Sequence, residues 1–274
     1  MKLVKAHAFG NDFLLVRESD LAPGADRPSL TRDLCERHRG IGADGVIFYQ
    51  TSAFVPATQD QSFSARMDLL NADGSYSEVS GNGVRCLAAW LGRQLEVQTG
   101  GSIDIETDAG VKRLEVLAVD GRRFTFRAAM GQPEQIQRRA IDVDGAAIDA
   151  ITLRVGNPQC VVLGPLPDDG RFARLGPALE HHAAFPNRTN VEFAAVEGPD
   201  RVRIRIWERG VGPTESSGTG SCAAAVAASA FGGALRDVEV VSPGGAQRVV
   251  WTADGITLTG WAEILADGTF CAQL

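Results

Sequence analysis

Ser80-Gly81-Asn82-Gly83 recurs 137 residues later as Ser217-Gly218-Thr219-Gly220, an offset of half the 274-residue chain. Each copy opens an apolar, Ala-rich run, Val84 to Leu95 and Ser221 to Phe231, which reads as a buried helix. A helix start carries unpaired backbone N–H groups and the positive end of the macrodipole. Glycines there let a ligand approach the backbone, so the chemistry is that of a carboxylate or phosphate site. A single Ser-Gly-x-Gly string marks no more than a turn before a helix. Two copies in a duplicated chain point to one shared small-molecule site. Asn71 and Glu208, again 137 residues apart, stand upstream of the two copies, and Arg209 follows Glu208. Polar groups at strand ends beside an anion site have the character of substrate handles.

The elements that position these turns repeat as well. Ala65-Arg66-Met67-Asp68-Leu69 precedes the first turn and Val202-Arg203-Ile204-Arg205-Ile206 the second. Such alternation has the period of a half-buried strand. Gly10-Asn11 before Phe13 to Val16 resembles Gly156-Asn157 before Cys160 to Leu163. Thr107-Asp108-Ala109-Gly110 with Val111 to Leu114 resembles Ser242-Pro243-Gly244-Gly245 with Ala246 to Val249. The pairs fall in the same order, which argues for a duplication. Asp-Gly turns such as Asp73-Gly74, Asp120-Gly121 and Asp254-Gly255 separate short strands, and Gly232-Gly233 stops the second buried helix. The predicted class is α+β, with two pseudo-symmetric halves, each a curved sheet or barrel wrapped around a central buried helix. The halves are expected at residues 1–118, completed by 264–274, and at 119–263.

Composition narrows the function classes. The net charge of −7 argues against a nucleic-acid surface. No apolar run approaches the ~20 residues of a membrane span, and the first residues lack a signal-peptide core. The cytoplasm is therefore the expected location. Cys35, Cys86, Cys160, Cys222 and Cys271 are odd in number and lack Cys-x-x-Cys spacing, which speaks against disulfides and a zinc site. His181 and His182 suit a polar helix end, as does His38, and no cofactor or metal is expected. Gly218-Thr219-Gly220 leads into Cys222-Ala223, so a dinucleotide fingerprint fails on spacing.

These residues sit in longer strings: Phe9-Gly10-Asn11-Asp12-Phe13, Arg39 to Gly45, Asn71-Ala72-Asp73-Gly74-Ser75, Gly81 to Cys86, Gly156-Asn157-Pro158, Arg188 to Phe193, Glu208-Arg209-Gly210-Val211-Gly212 and Gly218-Thr219-Gly220. In kind and order, almost end to end, they resemble the diaminopimelate epimerase family of cofactor-independent amino-acid epimerases. Proline racemases share the general plan but not this set. The resemblance implies a homodimer with the active site in the cleft between two domains. It implies that Asn11, Asn71, Asn157, Asn190, Glu208 and Arg209 hold a diaminopimelate-like substrate. The backbone near Gly81, Asn82, Gly218 and Thr219 would hold the reacting carboxylate. It further implies two-base transfer of the α-proton, interconverting LL and meso forms, with the developing charge stabilised by both helix starts.

The family's two bases are cysteines, and here Ser80 and Ser217 stand in their places. Where the family has a helper histidine, this chain has Gln159. A thiol with a pKa near ~8.5 becomes a usable thiolate at a helix start. A serine hydroxyl needs an adjacent base. Glu208 remains, and Cys86 and Cys222 are expected to be buried structural residues. His7 lies beside the Asn11 loop. A family member with weakened or altered proton transfer fits best. Engineered replacement of both cysteines is disfavoured, since Gln159, Pro213, Glu215 and Ser216 depart too. A hydroxy-amino-acid dehydratase or racemase on the same fold and a non-catalytic amino-acid binder remain as alternatives.

Overall fold

Alternating residues form strands in both halves, and the two Ala-rich runs form helices inside them. The computed structural model describes residues 1–51 and 62–271. The chain packs into two units, Met1–Ala128 with the segment from Gly260 onward, and Ala129–Thr259.

The first unit holds β1 (Lys2–Ala8), β2 (Asn11–Arg17), α1 (Arg27–Cys35), β3 (Gly45–Thr51), β4 (Ser62–Asn71), β5 (Tyr76–Ser77), α2 (Gly81–Gln94), β6 (Ser102–Thr107), β7 (Gly110–Asp120) and most of β8 (Arg123–Gly131). The second holds β9 (Glu134–Val143), β10 (Ala146–Val155), β11 (Asn157–Leu163), α3 (Asp169–Glu180), β12 (Asn190–Gly198), β13 (Arg201–Glu208), β14 (Gly212–Thr214), α4 (Gly218–Phe231), β15 (Asp237–Ser242), β16 (Gly245–Thr252) and the start of β17 (Gly255–Thr269). The rest of β17 returns to the first unit, where β1, β2, β3, β4, β6, β7, β8 and β17 pair as a closed ring.

The two units use one pairing scheme. β2 with β3 is parallel, as is β11 with β12. β3 with β4 and β12 with β13 are antiparallel. β4 with β6 and β13 with β15 are parallel. Even the hairpin that follows repeats a side-chain bond: Thr107 Oγ1 donates to the Gly110 carbonyl at 2.7 Å, and Ser242 Oγ to that of Gly245 at 3.1 Å. The echoes in the sequence are therefore a structural duplication.

α2 and α4 are buried along most of their length because each is the core of its unit; α4 is apolar on nearly all sides, whereas α2 also carries Arg85 inside and Arg93 and Gln94 at its exposed end. Val84, Cys86, Leu87, Ala88, Ala89 and Leu91 are buried against Phe13, Leu15 and Ile47. Cys222 through Ala228 are buried against Val161, Ala194, Ile204 and Ile206. The outer faces of the same strands carry α1 on Leu14, Val46 and Phe48, and α3 on Cys160, Val191 and Phe193. Strands covered on both faces explain uninterrupted apolar runs such as Phe13 to Val16.

Both central helices begin at the glycines, as the two Gly-rich helix starts predict, because Ser80 and Ser217 are N-caps and the Gly-x-Gly strings form the first turn. The first change of unit falls in β8 after Ala128; Ala118 lies inside β7, and the return is at Gly260. Among the described residues, no helix is long and apolar enough to cross a membrane.

Candidate active site

In the first unit, Ser80 Oγ accepts the Gly83 N–H at 3.1 Å. An N-cap of this kind contributes about 1 kcal/mol. It satisfies the third helical N–H, one of those a helix start leaves over. A side chain at Gly81 would meet nothing within 4 Å, so that approach to the backbone is open. Asn82 is buried and donates from Nδ2 to Asn11 Oδ1 at 3.2 Å; Asn11 in turn donates to Asp44 Oδ2 at 2.8 Å. Arg85 Nη2 donates to Asn82 Oδ1 at 2.6 Å. Asn11 is presented by a turn with positive φ at Phe9 (54°) and Gly10 (87°), and Asn157 follows Gly156 at φ 75°. Asn71 ends β4 and donates to Ser75 Oγ at 3.0 Å. That bond closes the Asn71–Ser75 turn. His7 Nδ1 accepts from the Gly10 N–H at 3.3 Å, and burial lowers the His7 pKa.

In the second unit, Ser217 is 5% exposed and its Oγ accepts the Gly220 N–H at 3.2 Å, with Thr219 Oγ1 3.5 Å away. Ser221 Oγ donates to the Ser217 carbonyl at 2.8 Å, and Gln247 Nε2 donates to Ser216 and Ser221. This buried network fixes the helix start. Gln159 and Asn190 are register partners on β11 and β12, and Glu208 ends β13, one residue beyond the Trp207 that pairs with Val191. Gln159 donates to Asn157 Oδ1 at 2.6 Å. Asn190 Oδ1 accepts the Arg209 N–H at 2.8 Å, while the exposed Arg209 guanidinium reaches the Asn187 carbonyl at 3.3 Å.

Two residues along the strands, Val161, Glu192, Ile206 and Thr214 form a second register row. Glu192 is 0% exposed, yet neither carboxyl oxygen has a hydrogen-bond partner among the described residues. Gln159 Oε1 and Thr214 Oγ1 are buried without partners as well. Orphaned buried polar atoms are rare and costly; here they stand in two rows of the same strands, with Glu192 under Gly220 at the start of α4. Burial, reinforced by the charge of Glu208, pushes the Glu192 carboxyl well above the usual range. Burial alone pushes Glu208 up to about 7. Perturbed carboxyls beside a helix start make this end of α4 a candidate functional site.

The first unit joins Asn11 to Asn82, two residues after Ser80; the second sets Ser217 and Thr219 at the start of α4, and Asn157, Gln159, Asn190, Glu208 and Arg209 at the ends of β11, β12 and β13. Sequence reasoning passed over Glu192 although it lies within the Arg188 to Phe193 string. The available signal was a carboxylate at an inward position of an alternating strand, between Asn190 and Ala194. Cys86 and Cys222 are buried in the helix cores, and burial pushes the Cys86 thiol up, so it supplies no thiolate.

A family model described as diaminopimelate epimerase matches residues 3–136 and 151–265. The diaminopimelate epimerase of Desulforudis audaxviator is 40% identical over 98% of this chain and 98% of that protein. That of Desulfitobacterium hafniense is 37% identical over 98% and 97%. Among solved structures, a probable proline racemase from Agrobacterium radiobacter K84 superposes with a TM-score of 0.72 at 18% identity, covering 98% of this chain and 92% of that one. A Bacillus anthracis protein of the PhzF family gives 0.68 at 14% identity, covering 99% of each. These two share the fold. Matched along nearly its whole length, the chain belongs to the diaminopimelate epimerase family, a family of cofactor-independent isomerases.

Proposed function

We propose that this chain moves the α-proton of a diaminopimelate-like amino acid, interconverting LL and meso forms, with Ser80 and Ser217 at the two proton-transfer positions. The observation that carries this reading is the repeated cap: in each unit a serine hydroxyl sits at the N-terminus of a buried helix, beside backbone N–H groups that can receive a carboxylate. Removing an α-proton puts negative charge into that carboxylate. Helix-start N–H groups then interact more strongly with the transition state than with the substrate, which is what lowers a barrier. Asn11, Asn82, Asn157, Asn190 and Arg209 supply polar groups for the carboxylate and the distal amino-acid end, and Glu208 suits an ammonium group. Gln159 holds Asn157 in place of a proton-accepting residue.

The serines set the expected rate. A hydroxyl does not ionise as a thiol does, so transfer is slow wherever no base stands behind it. Incubation with LL-diaminopimelate in D₂O, followed by NMR, tests the reading through loss of the α-proton signal and appearance of the meso form. Binding without exchange at high enzyme concentration would favour a non-catalytic amino-acid binder. Keto-acid formation from a 3-hydroxy amino acid would favour a dehydratase.

A further inference from the structure

Glu192 has no place in the reaction as set out above, yet both its carboxyl oxygens are buried without a hydrogen-bond partner among the described residues. A Cβ built on Gly220 would lie 2.7 Å from Glu192 Oε1 and 3.2 Å from Ser217 Oγ. Carboxyl and hydroxyl thus flank one point at the helix start; they are not hydrogen-bonded to each other, and a separation of at most about 6 Å is one that a single water can bridge. The duplication supplies an internal comparison. At the equivalent place in the first unit, a Cβ on Gly83 would meet Ile47 Cδ1 at 3.0 Å and Ser80 Oγ at 3.6 Å. Ile47 pairs with Leu69 as Glu192 pairs with Ile206. The fold therefore accepts an ordinary apolar residue here, and the second unit carries a buried, unpartnered carboxyl instead.

We propose that Glu192 is the proton partner of Ser217, acting through the hydroxyl as the base and acid that the serine lacks. This rests on the epimerase reading above. In one direction Ser217 Oγ takes the substrate α-proton while its own proton passes to the Glu192 carboxylate. The C–H electron pair stays on the substrate and spreads into its carboxylate. One proton has moved from Cα to Glu192, Ser217 is again a hydroxyl, and no free alkoxide forms. In the other direction the Glu192 carboxylic acid returns its proton to Ser217 as Ser217 gives one to Cα. Burial suits the role, because a desolvated carboxylate is a stronger base than a solvated one. The groups that bear on Glu192 are Glu208 on β13, which raises its pKa further, and the Cys160 thiol on β11, itself raised chiefly by burial and then by the Glu192 charge.

Ser80 has Ile47 in that place, so the relay is one-sided. Of the two epimers, the one whose α-proton faces Ser217 is expected to take up solvent deuterium with retention faster than it inverts.

The test has a substrate-free arm and a substrate arm. In a Cys271→Ser background, which removes the exposed thiol, the rate of iodoacetamide alkylation of a Ser217→Cys variant is measured against pH, with and without Glu192→Gln. A shift of the profile on removing Glu192 supports the pair, since coupled groups titrate jointly. Superimposable profiles overturn it. In D₂O with diaminopimelate, Glu192→Gln is expected to slow exchange at least about 100-fold in the Ser217 protein, the scale of general acid–base assistance. The same change is expected to cost less than about tenfold in the Ser217→Cys background, where a thiol ionises without help. Equal losses in both backgrounds mean a structural role and overturn the proposal. A shifted alkylation profile with no exchange, in the native protein or in Ser80→Cys with Ser217→Cys, overturns the substrate reading and leaves the proton coupling of the pair supported.

Discussion

Glu192 and Ile47 occupy equivalent positions in the two units, each beneath the second glycine of a Ser-Gly-x-Gly turn: Glu192 Oε1 comes within 2.7 Å of a Cβ on Gly220, and Ile47 Cδ1 within 3.0 Å of one on Gly83. A carboxyl that replaces an isoleucine in a buried position without gaining a hydrogen bond lowers stability. Glu192→Ile should therefore stabilise the fold by about 1–4 kcal/mol near pH 8, the range seen when buried ionic groups give way to apolar ones. The same variant should lose α-proton exchange. Urea unfolding beside the NMR exchange assay checks both. A destabilised variant would mean that the carboxyl has a partner and that its burial is structural.

Glu208 carries a pH dependence of defined sign. Its carboxyl is raised from 4.5 to about 7 by burial, so the folded state holds the proton more tightly than the unfolded chain. That contribution to stability is complete below about 4.5, declines as pH rises, and is gone above about 7. A shift of this size in a half-buried group corresponds to on the order of 1–3 kcal/mol. Glu208→Gln should flatten the stability profile between these pH values, as read by urea midpoints. Substrate binding should strengthen as pH rises through about 7, because only the carboxylate attracts an ammonium group. A profile with the opposite slope would remove Glu208 from that role.

Gly81 and Gly220 separate ligand access from packing. Gly81 faces open space, and Gly220 faces Glu192 and Ser217. Gly81→Ala should leave folding intact, or stabilise it by about 0.5–1 kcal/mol as Ala does in a helix, while raising KM by blocking the carboxylate approach. Gly220→Ala should destabilise by about 1–3 kcal/mol through overpacking. Thermal unfolding and steady-state kinetics distinguish the two. An unchanged KM in a folded Gly81→Ala variant would place the carboxylate elsewhere.

Much of this was legible in the sequence because duplication leaves local marks. The equal offsets of Ser80 and Ser217, and of Asn71 and Glu208, survive as matching caps and strand ends. The hairpin echo at Thr107 and Ser242 survives as matching side-chain bonds. Glu192 was hidden because its meaning depends on register: only pairing with Val161 and Ile206 places it under α4. The Asn82–Asn11 bond joins residues 71 apart, which no local pattern encodes. α1 and α3 carried weak signals. They are short and polar on one face, and α3 contains Pro177, although Asp26 and Asp168 cap them.

The proposed reaction turns on the two proton-transfer positions, Ser80 and Ser217. LL-diaminopimelate in D₂O, followed by NMR with the native protein and with Ser80→Cys plus Ser217→Cys, measures them. The expected result is slow, Glu192-dependent exchange in the native protein. In the double variant, solvent-labelled meso product should form at least about 100-fold faster, since thiolates at helix starts need no helper base. A folded double variant that neither exchanges the α-proton nor forms the meso product would contradict the account.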